Sequence, residues 1–187
     1  MNAPAGVLIT AEAAALLAGL QDRHGPVMFH QSGGCCDGSA PMCYPRADFL
    51  VGDRDILLGV LDVGEDGVPV WISGPQYQAW KHTQLIIDVV PGRGGGFSLE
   101  APEGVRFLSR GRVFSDAEKA MREAAPVITG AAYECGERPL VRVLSSISTI
   151  QMPRRECAAP VGGSRSKVVD RDPPSAVMAA DQRDAGW

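Results

Sequence analysis

Between Asp55 and Phe114 the chain offers short apolar segments in series, "DILLGVLDV", "VPVWISG", "TQLIIDVVPG", "GGFSLEAP" and "GVRFLSRGRVF", separated by glycine, proline and acidic residues. Runs of this length, rich in Val, Ile, Leu and Phe and closed by turn formers, read as strands. "GEDG" at 64–67 is the turn of a hairpin, and "PQYQAWKH", with Pro75 in its first turn, is the single helical interruption. Strands that follow one another without a helix after each cannot form a doubly wound parallel sheet. The fold class predicted is therefore α+β, strand-rich with two or three helices.

The N-terminal third fits that frame. "GVLIT" is a strand and Thr10 N-caps the helix "AEAAALLAGLQDRH", which Gly25 and Pro26 end. "PVMFHQ" is the next strand, with Val27, Phe29 and Gln31 on one face and Met28 and His30 on the other. At the far end, Ser115 and Glu118 have capping-box spacing and open a helix that runs to Pro126. Beyond it the chain loses periodicity and becomes rich in Pro, Gly, Ser and mixed charge. This divides it into a core domain at 5–118 and a C-terminal extension at 119–187, largely disordered. "PLVRVLSSISTIQM" is an isolated candidate for a strand or helix within that extension.

Composition limits the function classes. The 187 residues carry a net charge of -4 with no basic block, which argues against nucleic acid as a partner. No apolar run approaches the roughly 20 residues needed to span a bilayer. "MNAPAGVLITAEAAALLAGL" lacks a positive n-region and is interrupted by Glu12, so a cytoplasmic location and a reducing environment are expected.

Against this plain background one segment stands out. "HGPVMFHQSGGCCDGSAPMCYP", residues 24–45, holds three of the five cysteines, two of the three histidines and four glycines. "SGGCCDGSAP" cannot continue regular structure and forms a loop. Gly33, Gly34 and Gly38 let the backbone bend tightly and turn amide N–H groups toward a bound group or a thiolate, so they are the candidate cofactor-binding positions. Cys35, Cys36 and Cys43, with His30, are the candidate metal ligands, His24 being a further imidazole upstream. Side chains of adjacent cysteines diverge. The set is therefore one or both of the pair with Cys43 and a histidine, or thiolates contributed by both halves of a homodimer. A strained, reducible Cys35–Cys36 disulfide is another reading, and a glycine-rich turn with buried thiols is the bland one.

The remaining candidates are weaker. Asp37 could join a metal shell but reads more readily as an Asx-turn residue, and His82 reads as a partner of a helix C-terminus rather than a ligand. Trp71, Tyr77 and Trp80 could line a pocket but read more readily as core aromatics, and "PGRGGGF", which could cradle a phosphate, lacks the Lys-Ser/Thr of a phosphate loop and is read as a flexible hairpin. Cys135 and Cys157 stand alone. No G-x-S-x-G, H-E-x-x-H or paired-carboxylate signature is present, so no catalytic residue is assigned and an enzyme is the less favoured reading.

Two resemblances rest on these residues. The segment at 24–45, followed by "VPVWISGPQYQAWKHTQLIIDVVPGRGGGFSLEAPEGVRFLSRGR", closely resembles a bacterial family known as domain of unknown function 779, over about Ile9 to Lys119. That resemblance implies a link to aldehyde dehydrogenases, beside whose genes the family's genes commonly lie. The order of elements is also similar to the HesB-like fold of A-type iron–sulfur carriers, which implies a small β-rich sandwich. "LITAEAAALL", "GGCCDG" and "IIDVVPGRGGGFSLEAP" stand where that family has its strand–helix start, its first ligand loop and a later strand segment. Only Cys35 matches a ligand of that family. Its C-terminal cysteine pair falls near "FLSRG", where this chain has none, so Cys36 and Cys43 would have to replace it or the scaffold serves another purpose.

Three functions follow as expectations. The first is an accessory protein of aldehyde metabolism that binds a metal ion or iron–sulfur cluster. The second is a thiol redox or aldehyde-handling enzyme with Cys35 or Cys36 as nucleophile. The third is a non-catalytic regulator that binds an aldehyde dehydrogenase.

Overall fold

The computed structural model describes residues 3–31, 40–93 and 96–139. Strand β1 (Val7–Ile9) leads into helix α1 (Ala11–His24), where Thr10 Oγ1 accepts from the amide of Ala13 at 3.3 Å as an N-cap. Gly25, at φ +75°, stops the helix and turns the chain into β2 (Val27–Gln31). After residue 39 come β3 (Pro41–Pro45), β4 (Ile56–Leu61) and β5 (Val68–Ile72). The short helix α2 (Gly74–Trp80), β6 (Thr83–Pro91), a 3-10 turn (Ala101–Glu103) and β7 (Val105–Val113) follow. Helices α3 (Asp116–Glu123) and α4 (Gly130–Glu134) complete the described elements. The Ser115–Glu118 capping box is formed in both directions.

The described strands form two mixed sheets. One has the order β1-β6-β7, with β1 parallel to β6 and β6 antiparallel to β7; the other has the order β3-β2-β5-β4, in which only the central β2–β5 pair is parallel. The α+β class and strand-rich layout expected from the sequence are what the structure has. The main core collects Val7 and Ile9 from β1, Leu17 and Leu20 from α1, Leu85 and Ile87 from β6, and Val27, Phe29, Val68 and Val70 from the second sheet. Phe29 and Phe107 meet edge to face across it, centroids 4.8 Å apart, a pairing worth about 0.5–1.5 kcal/mol beyond its area.

The second sheet is covered on its other face too. Met28, Leu57, Val60 and Trp71 form a second cluster, over which lie Tyr44, Phe49, Val51, Ile128 and Tyr133. Leu57 and Val60 share this cluster although three residues apart, because a bulge between Leu57 and Gly59 shifts the register of β4. Pro69 is tolerated in the interior strand β5 because the β2 ladder begins only at Val70.

Three details depart from the sequence reading. β3 was not expected: it starts and ends on proline, and an edge position is where a strand tolerates that. "GGFSLEAP" is not a strand. Its described residues turn inward at Ser98 and Glu100, leave Phe97 86% exposed and end in the 3-10 turn. Finally, the boundary drawn at 118 falls inside α3, and packed chain continues to α4. Ile128 accepts from the amide of Leu57, a bridge joins Thr129 to Ile56, and Tyr133 stands edge-on to Trp71 at 5.3 Å. Residues 140–187 of the expected extension, with "LVRVLSSISTIQM" and Cys157, lie outside the described residues.

Candidate functional site

β2 carries its two faces into different surroundings. Phe29 pairs with Cys43 across the β2–β3 ladder, and His30 pairs with Met42. By strand alternation, Phe29 and Cys43 face the main core while His30 leaves the sheet on the opposite side. Two of the four expected metal ligands are therefore not brought together. The other two, Cys35 and Cys36, lie outside the described residues, as do Gly33, Gly34 and Gly38.

Cys43 is a core thiol. It is fully buried, and its amide donates to Ser98 Oγ at 2.8 Å. Burial, assisted by the nearby Glu100 carboxyl, pushes the thiol well above its ordinary range, so it stays protonated at neutral pH. A thiolate is the form that ligates and attacks, and Cys43 is not poised to supply one. Ser98 and Glu100 are buried polar neighbours that the sequence reading missed. Ser98 donates to Glu100 Oε2, and Glu100 Oε1 accepts from the amide of Phe107 at 3.3 Å. The inward turn of residues 98–100 thus plugs the end of the core with a satisfied polar cluster.

His30 has the more suggestive setting. Its Nε2 lies 3.1 Å from Asp55 Oδ2, and both side chains are about four-fifths shielded from solvent. An ionised carboxylate only accepts, so the proton belongs on Nε2, and a neutral ring then presents Nδ1 as its lone-pair nitrogen. The imidazole lies tilted against Phe49, centroids 5.0 Å apart, and Phe49 is itself stacked at 4.7 Å on Tyr44. Asp55 is held in turn: its Oδ2 accepts from the amide of Gly52, and its carbonyl accepts from Gly130 at the start of α4. Gly130 approaches the turn so closely that a Cβ there would stand 2.2 Å from the Gly52 carbonyl oxygen. A histidine whose one nitrogen is fixed by a carboxylate is the arrangement used by metal-ligating and general-base histidines alike. Asp55 had no local signal in the sequence, because its partner lies 25 positions away.

The other candidates take ordinary places. His24 ends α1 on the surface, Trp71 is core, and Cys135 is exposed at the end of α4. Among the described residues no group of three His, Cys, Asp or Glu side chains is placed to hold a metal ion. Nor is any helix among them long and apolar enough to cross a membrane.

These features define a two-sheet α+β domain whose one carboxylate-oriented histidine stands near the end of β2, the strand that precedes the cysteine-rich segment in the sequence. The chain belongs to the family described as Domain of unknown function (DUF779), whose family model matches residues 16–113. That match spans β2, Cys35 and Cys36, His30, Asp55 and the strands through β7. No curated protein and no solved structure gives a significant match to the chain.

Proposed function

We propose that this protein is a small accessory protein of aldehyde metabolism that holds a metal ion or iron–sulfur cluster through the loop that follows β2. His30 would donate Nδ1, and Cys35 and Cys36 would supply thiolates. The observation that carries this reading is the His30–Asp55 hydrogen bond at 3.1 Å, one residue before β2 ends at Gln31. Metal-bound histidines regularly give their second ring N–H to a carboxylate, which fixes the tautomer and raises the basicity of the ligating nitrogen. Cys35 and Cys36 follow Gln31 closely enough in the chain to return to His30. We leave Cys43 out of the ligand set because its thiol faces the core. Three donors do not close a four-coordinate shell, so the reading favours a site completed by a second copy of the chain. Free thiols suit a reducing cytoplasm. The likeness to HesB-like carriers and the choice of an aldehyde dehydrogenase as client rest on the sequence resemblances alone.

A second reading is favoured by the same pair. A carboxylate-oriented imidazole beside a cysteine loop is also the base of a thiol nucleophile, and Cys35 or Cys36 could then add to an aldehyde carbonyl. Metal and acid-labile sulfide measured after anaerobic purification separate the two. On the first reading, metal is bound, His30→Ala and Cys35→Ala lose most of it, and Cys43→Ala keeps it. Metal-free protein in which Cys35 or Cys36 alkylates rapidly below pH 7, and slowly in His30→Ala, would establish the second instead. Bound metal that survives both His30→Ala and Cys35→Ala sinks the assignment of this site.

A further inference from the structure

Two clefts meet at Tyr77, Arg122 and Val127, where the N-terminal segment, β4 and the chain after α3 converge. The larger, about 470 Å³, has mainly apolar walls that include Ile56, Leu58, Pro126 and Ile128. Its size falls within the range of small-molecule sites. The smaller, about 260 Å³, is lined by Lys81, His82, Lys119 and Arg122, against the single acidic residue Glu123. Three cations, Lys81, Lys119 and Arg122, gathered in one cleft run against the net charge of -4 for the whole chain. Lys119 pairs with Asp116, but no ion pair engages Lys81, His82 or Arg122 among the described residues.

Arg122 links the two spaces. Its Nη1 donates to the Pro4 carbonyl at 2.8 Å, and its guanidinium lies 5.2 Å from the centre of the Phe114 ring. These contacts fix the group in place, yet its Nε is buried with no hydrogen-bond partner among the described residues. The Arg122 side chain nevertheless lines both clefts. Position 6 must be glycine for this arrangement, since a Cβ would stand 2.6 Å from the Leu58 carbonyl oxygen and 2.9 Å from Arg122 Nη2. The guanidinium fork matches a carboxylate, and Lys81 and Lys119 add charge of the same sign.

We infer that the joined clefts bind a small amphipathic carboxylate, with its apolar chain between β4 and residues 126–128 and its carboxylate on Arg122. This site is independent of the reading given to His30, which lies on β2, two strands from β4. Calorimetric titration of the full chain with octanoate, 1-octanol and inorganic phosphate tests it. Octanoate should saturate at one per chain, with octanol and phosphate each at least about tenfold weaker. Val127→Trp, at a position 46% exposed, should fill the junction and abolish binding without lowering the thermal midpoint. Lys81→Gln should weaken octanoate about threefold or more, and Arg122→Gln about tenfold or more. Equal binding of octanol would reduce the cleft to a greasy surface, and equal binding of phosphate would reduce it to a charge site. Either result overturns the inference, as does an absence of saturable octanoate binding or its persistence in Val127→Trp.

Discussion

Thr10 Oγ1 accepts from the amide of Ala13 and donates to Asp88 Oδ1 at 3.0 Å, so a single hydroxyl caps α1 and ties it to β6. Asp88 also takes the Nε of Arg110 at 2.6 Å and the amide of Val89 at 2.9 Å. Burial pushes this carboxyl up, but the hydrogen bonds from Arg110, Val89 and Thr10, with the Arg110 charge, outweigh burial and hold it below its ordinary value. Between the folded and unfolded values the native state binds fewer protons. The contribution is therefore fully present above about pH 4 and is lost as pH falls through the folded value. Asp88→Asn should cost about 1–2 kcal/mol at pH 7, and the difference from the parent should shrink toward pH 3 in denaturant titrations. A difference independent of pH would remove the electrostatic part of this account.

Glu100 works in the opposite sense. Burial raises its carboxyl, and the hydrogen bonds from Ser98 and Phe107 only partly offset that. The native state then holds its proton to a higher pH than the unfolded chain does. Stability from this group is fully present below the unfolded value, near 4.5, and declines as pH rises through the folded value. Thermal melts between pH 4.5 and 7 should show this decline in the parent and much less of it in Glu100→Gln. Parallel curves for the two proteins would refute it.

Cys43 should resist alkylation in the native protein, reacting only as fast as the core opens, while exposed Cys135 reacts freely. Cys43→Ala should cost about 1–2 kcal/mol through the small cavity left behind. Cys43→Ser should cost about 1–3 kcal/mol, because a hydroxyl is stranded in an apolar site. Peptide mapping after a short iodoacetamide pulse checks the first expectation and urea unfolding the other two. Rapid native labelling of Cys43 would contradict its place in the core.

Gly130→Ala tests the support behind Asp55. The added Cβ meets the Gly52 carbonyl, which is backbone and cannot swing aside, so a loss of about 1–3 kcal/mol is expected. Truncation after Ala125 should go further, because it uncovers Trp71, now 1% exposed beneath Tyr133. A red-shifted tryptophan emission and a midpoint lowered by several degrees are the readouts. An unshifted spectrum would mean that residues 126–139 contribute nothing to the core.

Much of the layout was legible because its signals are local. The Thr10 and Ser115 caps, the glycines at the 64–67 turn and the alternation along β2 each depend on a few neighbouring residues. β3 escaped because its two prolines mask a strand that only an edge position permits. Residues 98–100 escaped because a serine and a glutamate were not expected in a core. They are there to answer the amides of Cys43 and Phe107, which no local pattern announces. The candidate site was half legible. The cysteine loop announced itself by composition, and His30 by its face of β2. Asp55 and the α4 segment that steadies it are joined to His30 only by the tertiary fold.

The parallel pairing of β1 with β6 bears on how the chain is made. Val7 finds its partner at Leu85, about 80 residues later. At ordinary synthesis rates of about 5–20 residues per second, the first strand waits several seconds before the strand that satisfies it exists. During that interval its apolar side chains and those of α1 have no sheet to cover them. Those first two elements are where a nascent chain of this protein would most depend on a chaperone.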